Sequence, residues 1–329
     1  MRMFSVPYSR YIVRPIPWYS FLIVLGVVLA IILACREERR RGLKKDTVID
    51  LVLWLLPAGI IGARIYYAAF SWEQFSSDPL SVFRIWEGGI AIYGAVIAGL
   101  IVIICFSRHR RLSPLLLCDL IAPGLVLAQA IGRWGNYFNM EAYGLPLEDP
   151  VLCFFPIAVQ ILENGSPTWH MATFFYESVW NLTIFCFLMS ARHKKLHRYG
   201  DTFFFYAFLY AAGRFVIEDL RMDSLYASSS VRISQLISAV VCFGILLRYL
   251  LQSCKAGTMK GIVRFSVIPV AFSASVFQLF YSFSPGSFTE LPLSQRILFL
   301  SGSSLLLIIA LFIIFSSLSQ EVYHADNQA

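Results

Sequence analysis

Tyr210, Arg214, Glu218 and Arg221 follow one another at intervals of four, four and three residues. At about 100° per residue they fall within roughly 80° of one another on a helix. One face then carries a phenol, a guanidinium, a carboxylate and a second guanidinium. Two readings fit that face. Partners at i, i+4 and i, i+3 make a structural ion-pair ladder. Alternatively the face is an anion site, because one carboxylate cannot neutralise two guanidiniums, and arginine grips phosphate through paired hydrogen bonds.

A second cluster runs from Gly132 to Gly144. It sets Arg133, Asn136, Asn139 and Glu141 among glycines and aromatics. Asn offers donors and acceptors without charge, and glycine lets backbone approach a ligand. A polar turn between helices is the plainer reading. A third element is Trp86 to Gly94, with Gly88 and Gly89 ahead of an apolar run. Glycine at a helix start leaves amides free for an anion, and close helix packing explains it equally well. Arg64, Asp119 and Glu177 are further ions within apolar runs. Asp119 and Glu177 read either as groups that orient site side chains or as interhelical ties. Tyr19, beside Trp18, has the character of an interfacial aromatic.

Other chemistries find no support. Of the five histidines only His170 falls in the polar segment between 132 and 172, and no metal-ligand spacing, Ser-His-Asp order or phosphate-binding loop can be assembled. The seven cysteines are scattered singly, mostly in or beside apolar runs, as small hydrophobes would be.

The elements that must position these residues are membrane helices. Of 329 residues, 58% are hydrophobic and only 14% charged. A soluble domain is roughly one quarter charged. That excess excludes a water-soluble enzyme and a disordered chain, and places apolar surface against lipid. The apolar runs are unbroken, which excludes the short alternating strands of a membrane barrel. Spans need roughly 20 apolar residues. Nine candidates fit, near 16–35, 47–70, 88–106, 114–131, 173–190, 201–219, 231–251, 262–283 and 297–318. The first is no cleaved signal peptide, since basic residues from Arg36 to Arg41 follow it directly.

The net charge is +7, and the basic residues sit in short clusters between apolar runs, a pattern that sets orientation. The loops after spans one, three, five and seven hold seventeen of the 27 basic residues, so these loops are expected to be cytoplasmic. The amino terminus and the 132–172 segment are then outside and the carboxy terminus inside. The segment is too polar to span the membrane or to fold as a domain, and a loop of such length is often functional.

The 132–144 cluster resembles the signature of the prolipoprotein diacylglyceryl transferases, G-R-x-G-N-x-x-N-x-E-x-x-G. The matching residues are Gly132, Arg133, Gly135, Asn136, Asn139, Glu141 and Gly144. Further matches keep the family's order. They are Trp18 with Tyr19, Gly62 to Arg64, Trp86 to Gly89, Asp119 with Ala122 and Pro123, Tyr176 with Glu177, Gly200 with Asp201, and Arg214, Glu218, Arg221 and Asp223. The resemblance covers about residues 10–252. It departs at Tyr93, where many members have a histidine.

The resemblance implies an all-α polytopic protein of the bacterial cytoplasmic membrane with a seven-helix core, here residues 1–255. Residues 256–329 would add two further helices, outside the resemblance. Those helices carry no Lys, Arg, Asp or Glu between Phe265 and Ser284 and are expected to serve packing or partner contact. The implied reaction moves the diacylglyceryl group of phosphatidylglycerol onto the lipobox cysteine of a prolipoprotein signal peptide, releasing glycerol phosphate, with no cofactor. Arg133, Arg214, Glu141 and Tyr93 are the expected catalytic groups. Tyr19, Asn136, Asn139, Gly144, Tyr210, Glu218 and Arg221 are the expected substrate contacts. A transporter would also use intramembrane arginines, but it should show broken helices in two related halves, and none is seen. A noncatalytic scaffold would not need charges aligned on one face.

Overall fold

A computed structural model describes residues 9–163, 166–192, 198–222, 232–257, 261–283 and 291–326. Asp223, Lys194, Lys195 and Lys260 lie outside the described residues. Nine long α-helices occur among the described residues: α1 Trp18–Arg40, α2 Thr47–Phe70, α3 Ile92–Arg110, α4 Pro114–Asn139, α5 Thr173–Ala191, α6 Asp201–Asp219, α7 Ile233–Ala256, α8 Gly261–Phe283 and α9 Leu293–Asp326. Eight of them contain a stretch long and apolar enough to cross a membrane. The ninth, α6, is interrupted by Arg214, Glu218 and Asp219 near its end. The chain is a polytopic, mostly helical membrane protein.

Three helices outrun their apolar windows. Arg36 to Arg40 continue α1, and α4 runs eight residues beyond the expected 131 to reach Asn139. α9 likewise begins at Leu293 and ends at Asp326. Hydropathy reports the solvent around a helix, whereas its hydrogen bonds continue into the interface. The segment after α4 also differs from the polar loop expected there. It folds into an antiparallel hairpin, β3 Ala158–Glu163 with β4 Ser166–Met171, paired from Ala158 opposite Met171 to Glu163 opposite Ser166. A shorter hairpin, β1 Tyr11–Val13 with β2 Ile16–Pro17, precedes α1.

The chain divides into two compact units. One comprises residues 27–125 and 198–203 and is built on α2 and α3. Here Gly62 and Gly94 let two backbones meet, since a Cβ on Gly62 would sit 2.7 Å from the Gly94 carbonyl oxygen. Leu51, Ile103, Phe106, Leu117 and Leu120 form its core. Buried Arg64 donates to the carbonyls of Ser81, Val82, Arg84, Gly88 and Gly89, so its charge is met by the turns that connect α2 to α3. Asp119 accepts from the amides of Gly200 and Phe203 at 2.7 and 2.9 Å, holding the start of α6. It is therefore a tie between elements, one of the two roles its sequence context suggested.

The other unit comprises residues 1–26, 126–197 and 204–329. Ser178 of α5 donates to the Ala130 carbonyl of α4 and accepts from the Trp134 indole. Phe215, Ala239, Tyr281 and Leu300 bring α6 to α9 around one core. Buried Asp219, the last residue of α6, receives Arg232 at 2.6 Å and the Tyr281 hydroxyl at 2.8 Å, with Arg296 at 3.6 Å. The last two helices thus reach the carboxylate beside Glu218. Ser304 of α9 also donates to the Ala212 carbonyl at 3.2 Å.

Candidate active site

The arginines of α4 and α6 converge on one carboxylate from α5. Glu177 pairs with Arg133 through Oε2 and with Arg214 through Oε1, and Arg221 lies 3.5 Å from Oε1. Arg214 reaches forward one turn to Glu218, 2.5 Å away. An isolated acid in an apolar helix needs a cation, and Glu177 has three. The sequence suggested that Glu218 alone faced Arg214 and Arg221, a count that changes with α5 in place. Among the described residues, three guanidiniums gather on two carboxylates.

The layering of the cluster is informative. The Glu218 and Glu177 side chains are 1% and 6% exposed, against 17% for Arg214 and 22% for Arg133. The acids lie deepest and the guanidiniums present the outer layer. Such an arrangement fixes the arginine heads and leaves donors toward an arriving anion. Tyr210, one turn earlier on α6, packs its ring 5.9 Å from Tyr206.

Glu141 is positioned separately. Asn136 and Asn139, in the last turns of α4, both donate to its Oε1, at 2.9 and 3.2 Å. Arg10 in turn donates to the Asn139 side-chain oxygen at 3.1 Å. Met140 and Ala142, either side of Glu141, have φ of 53° and 55°. Two left-handed non-glycine residues around one carboxylate are costly and are held only by their surroundings. The supports are visible: the Glu141 amide donates to the Asn136 carbonyl, and Thr173 donates to the Ala142 carbonyl.

The glycines of the 132–144 cluster serve close packing. A Cβ on Gly135 would sit 2.6 Å from the Tyr19 ring, so this glycine seats Tyr19 of α1 against α4. A Cβ on Gly144 would sit 2.6 Å from the Leu220 carbonyl oxygen. The Gly144 amide donates to Met171, and its carbonyl lies 3.0 Å from the Nδ1 of buried His170. Gly144 therefore locks the loop to the end of α6, and its backbone groups are already engaged within the protein. Tyr93 belongs to the α2–α3 unit, in the first turn of α3, its ring 6.3 Å from that of Tyr66. Gly88 and Gly89, weighed from sequence as an anion cradle, present their carbonyls to Arg64.

Sequence reasoning left the role of Glu177 open, although the signal was present as an acid in an apolar run. It gave no sign of the backbone support around Glu141, because left-handed residues here are Met and Ala instead of Gly.

Comparison with known proteins bears on this geometry. A family model described as prolipoprotein diacylglyceryl transferase matches residues 9–250. A phosphatidylglycerol–prolipoprotein diacylglyceryl transferase of Enterococcus faecalis is 47% identical over 231 residues, covering 69% of this chain and 83% of that protein. Proteins of the same name from Lactobacillus gasseri and Limosilactobacillus reuteri are 44% and 45% identical, covering 70% and 68% of this chain and 84% and 82% of their own lengths.

Proposed function

The chain belongs to the prolipoprotein diacylglyceryl transferase family, and from that premise we propose how its residues divide the work. The protein is a transferase that moves the diacylglyceryl group of phosphatidylglycerol to prolipoproteins. Arg133 and Arg214 hold the phosphate of the donor lipid. Glu177 and Glu218 fix the two guanidiniums, and Arg221 completes the cluster. The observation that carries this reading is the layering of the cluster, with both acids buried beneath the Arg133 and Arg214 heads.

The acceptor is the thiol of a lipobox cysteine. Its sulfur attacks the terminal glyceryl carbon of the diacylglyceryl group, the carbon–oxygen bond to phosphate breaks, and glycerol phosphate leaves. A thioether forms, and the thiol proton passes to a base. A thiol has a reference pKa near 8.5, so a base is needed to form thiolate at neutral pH. Glu141 is that base, oriented by Asn136 and Asn139. Tyr93 orients a substrate through its hydroxyl, since a phenol with a reference pKa near 10 is a weak base. Tyr19, Tyr210 and the Asn pair line the lipid side. Charge accumulates on the phosphate oxygens as the bond breaks, and fixed guanidiniums stabilise it without reorganising.

We place the reaction at the outer face of the bacterial cytoplasmic membrane, with nine spans, the amino terminus outside and the carboxy terminus inside. The basic-residue alternation supports this topology. The transferase core is residues 1–255, and residues 256–329 pack on it. Membranes containing the protein, phosphatidylglycerol and a lipobox peptide should yield a peptide heavier by one diacylglyceryl group. No mass change, with the protein folded and both substrates present, would refute the assignment.

A further inference from the structure

An apolar cavity of about 680 Å³ lies between α5, α6 and α9. Its walls include Tyr176 and Trp180 of α5, Gly213 and Ile217 of α6, and Gly302 and Leu305 of α9. We propose that this cavity seats one acyl chain of the phospholipid donor, so that the last helix, outside the matched residues 9–250, selects the lipid. The inference rests on the transferase reading above.

Position is the first argument. Tyr176 and Trp180 stand one residue before and three after Glu177. Gly213 and Ile217 stand one before and three after Arg214. At helical spacing both pairs lie on the same flank of the Glu177–Arg214 ion pair. A phosphate held by Arg214 therefore has the cavity beside it. A phosphodiester joined to an acyl chain fits that juxtaposition of cation and apolar wall, and a free phosphate would leave the wall unused.

Depth is the second. On α9 the lining runs from Leu298 to Ile308, about 15 Å of helix. That is half of the roughly 30 Å hydrocarbon core, the depth of one leaflet. The cavity also lies at the ends of the helices nearest the arginines: α5 begins at Thr173, α6 ends at Asp219 and α9 begins at Leu293.

Chemistry is the third. The polar tips of the two lining aromatics are tied elsewhere: the Tyr176 hydroxyl donates to the Ile157 carbonyl at 2.6 Å, and the Trp180 indole to Leu209 at 2.9 Å. Their apolar faces are left to the cavity. The surrounding bilayer is as apolar as the cavity, so the gain is selectivity by shape more than affinity.

The test fills the cavity from α9. A Cβ on Gly302 would meet nothing within 4 Å, so Gly302→Leu projects into open space. Gly244 of α7 is equally open and lies outside the cavity, which makes Gly244→Leu the control. Transfer to a lipobox peptide is measured with dipalmitoyl and dihexanoyl phosphatidylglycerol. Gly302→Leu should raise KM for the long-chain donor roughly tenfold, as misfit in an apolar pocket does, and leave the short-chain donor unchanged. Gly244→Leu should match wild type on both. Equal effects of Gly302→Leu on both donors would overturn the inference. So would a raised KM for the peptide alone, which would assign the cavity to the signal peptide. Failure of the wild-type protein to use either donor would instead refute the transferase reading.

Discussion

Glu177 Oε1 is shared: Arg214 pairs with it directly and Arg221 stands 3.5 Å away. One oxygen from α5 thereby sets the spacing of two guanidiniums that α6 and its following turn would otherwise present independently.

Arg214→Lys tests the shape of that contact with charge held constant. An ammonium cannot bridge Glu177 and Glu218 while also offering paired donors to a phosphate. Turnover should fall roughly a hundredfold to a thousandfold, the usual cost of losing one such stabiliser. Wild-type turnover of Arg214→Lys in the peptide assay would rule out the bidentate clamp.

Glu177→Gln removes the shared acceptor charge. Breaking a buried ion pair on one side costs on the order of 3–5 kcal/mol. The variant should unfold at a visibly lower temperature in detergent and lose most activity. A variant with unchanged Tm would mean that the arginines hold their places without Glu177.

Glu141→Gln and Tyr93→Phe separate the proton acceptor from the orienting group. The glutamine variant should lose most activity and regain part of it as pH rises toward the thiol's own pKa, because thiolate then forms without a base. The phenylalanine variant should be slower with an unchanged pH profile. The opposite pattern, rescue of Tyr93→Phe alone, would exchange the two roles.

Topology is open to labelling. A cysteine placed at Asp149 should react with an impermeant reagent added outside intact cells, and one placed at Lys44 should react only after lysis. Reversed reactivity would invert the proposed orientation.

The ladder was legible in part, because spacing and chemistry coincide for Tyr210, Arg214 and Glu218 on α6; Arg221, expected on the same helix face, lies beyond the helix end at Asp219, where its backbone pairs with Gly144. The helix limits were legible for the same reason, with α2 and α6 beginning and ending where the apolar run does. Legibility failed where backbone supplies the partner. Arg64 has five carbonyl acceptors, and no residue type announces a carbonyl. The β3–β4 hairpin was hidden because its strands are short and carry Pro167 and Gln160 beside apolar residues. Asp219 also went unremarked, since its partners Tyr281 and Arg296 lie far along the chain.

That last carboxylate bears on synthesis. Arg232 follows Asp219 by 13 residues and Tyr281 by 62. At about 5–20 residues per second, the hydroxyl arrives roughly 3–12 s after the acid. Through that interval the growing chain holds Asp219 with Arg232 as the earlier of the two. The end of α6 gains its full set of partners only when α8 and α9 have entered the bilayer. The anchoring of the helix end beside Glu218 is thereby completed only with the last two helices, and a ribosome stalled before α8 would leave a chain with every described charged group of the cluster and a helix end short of two of its ties.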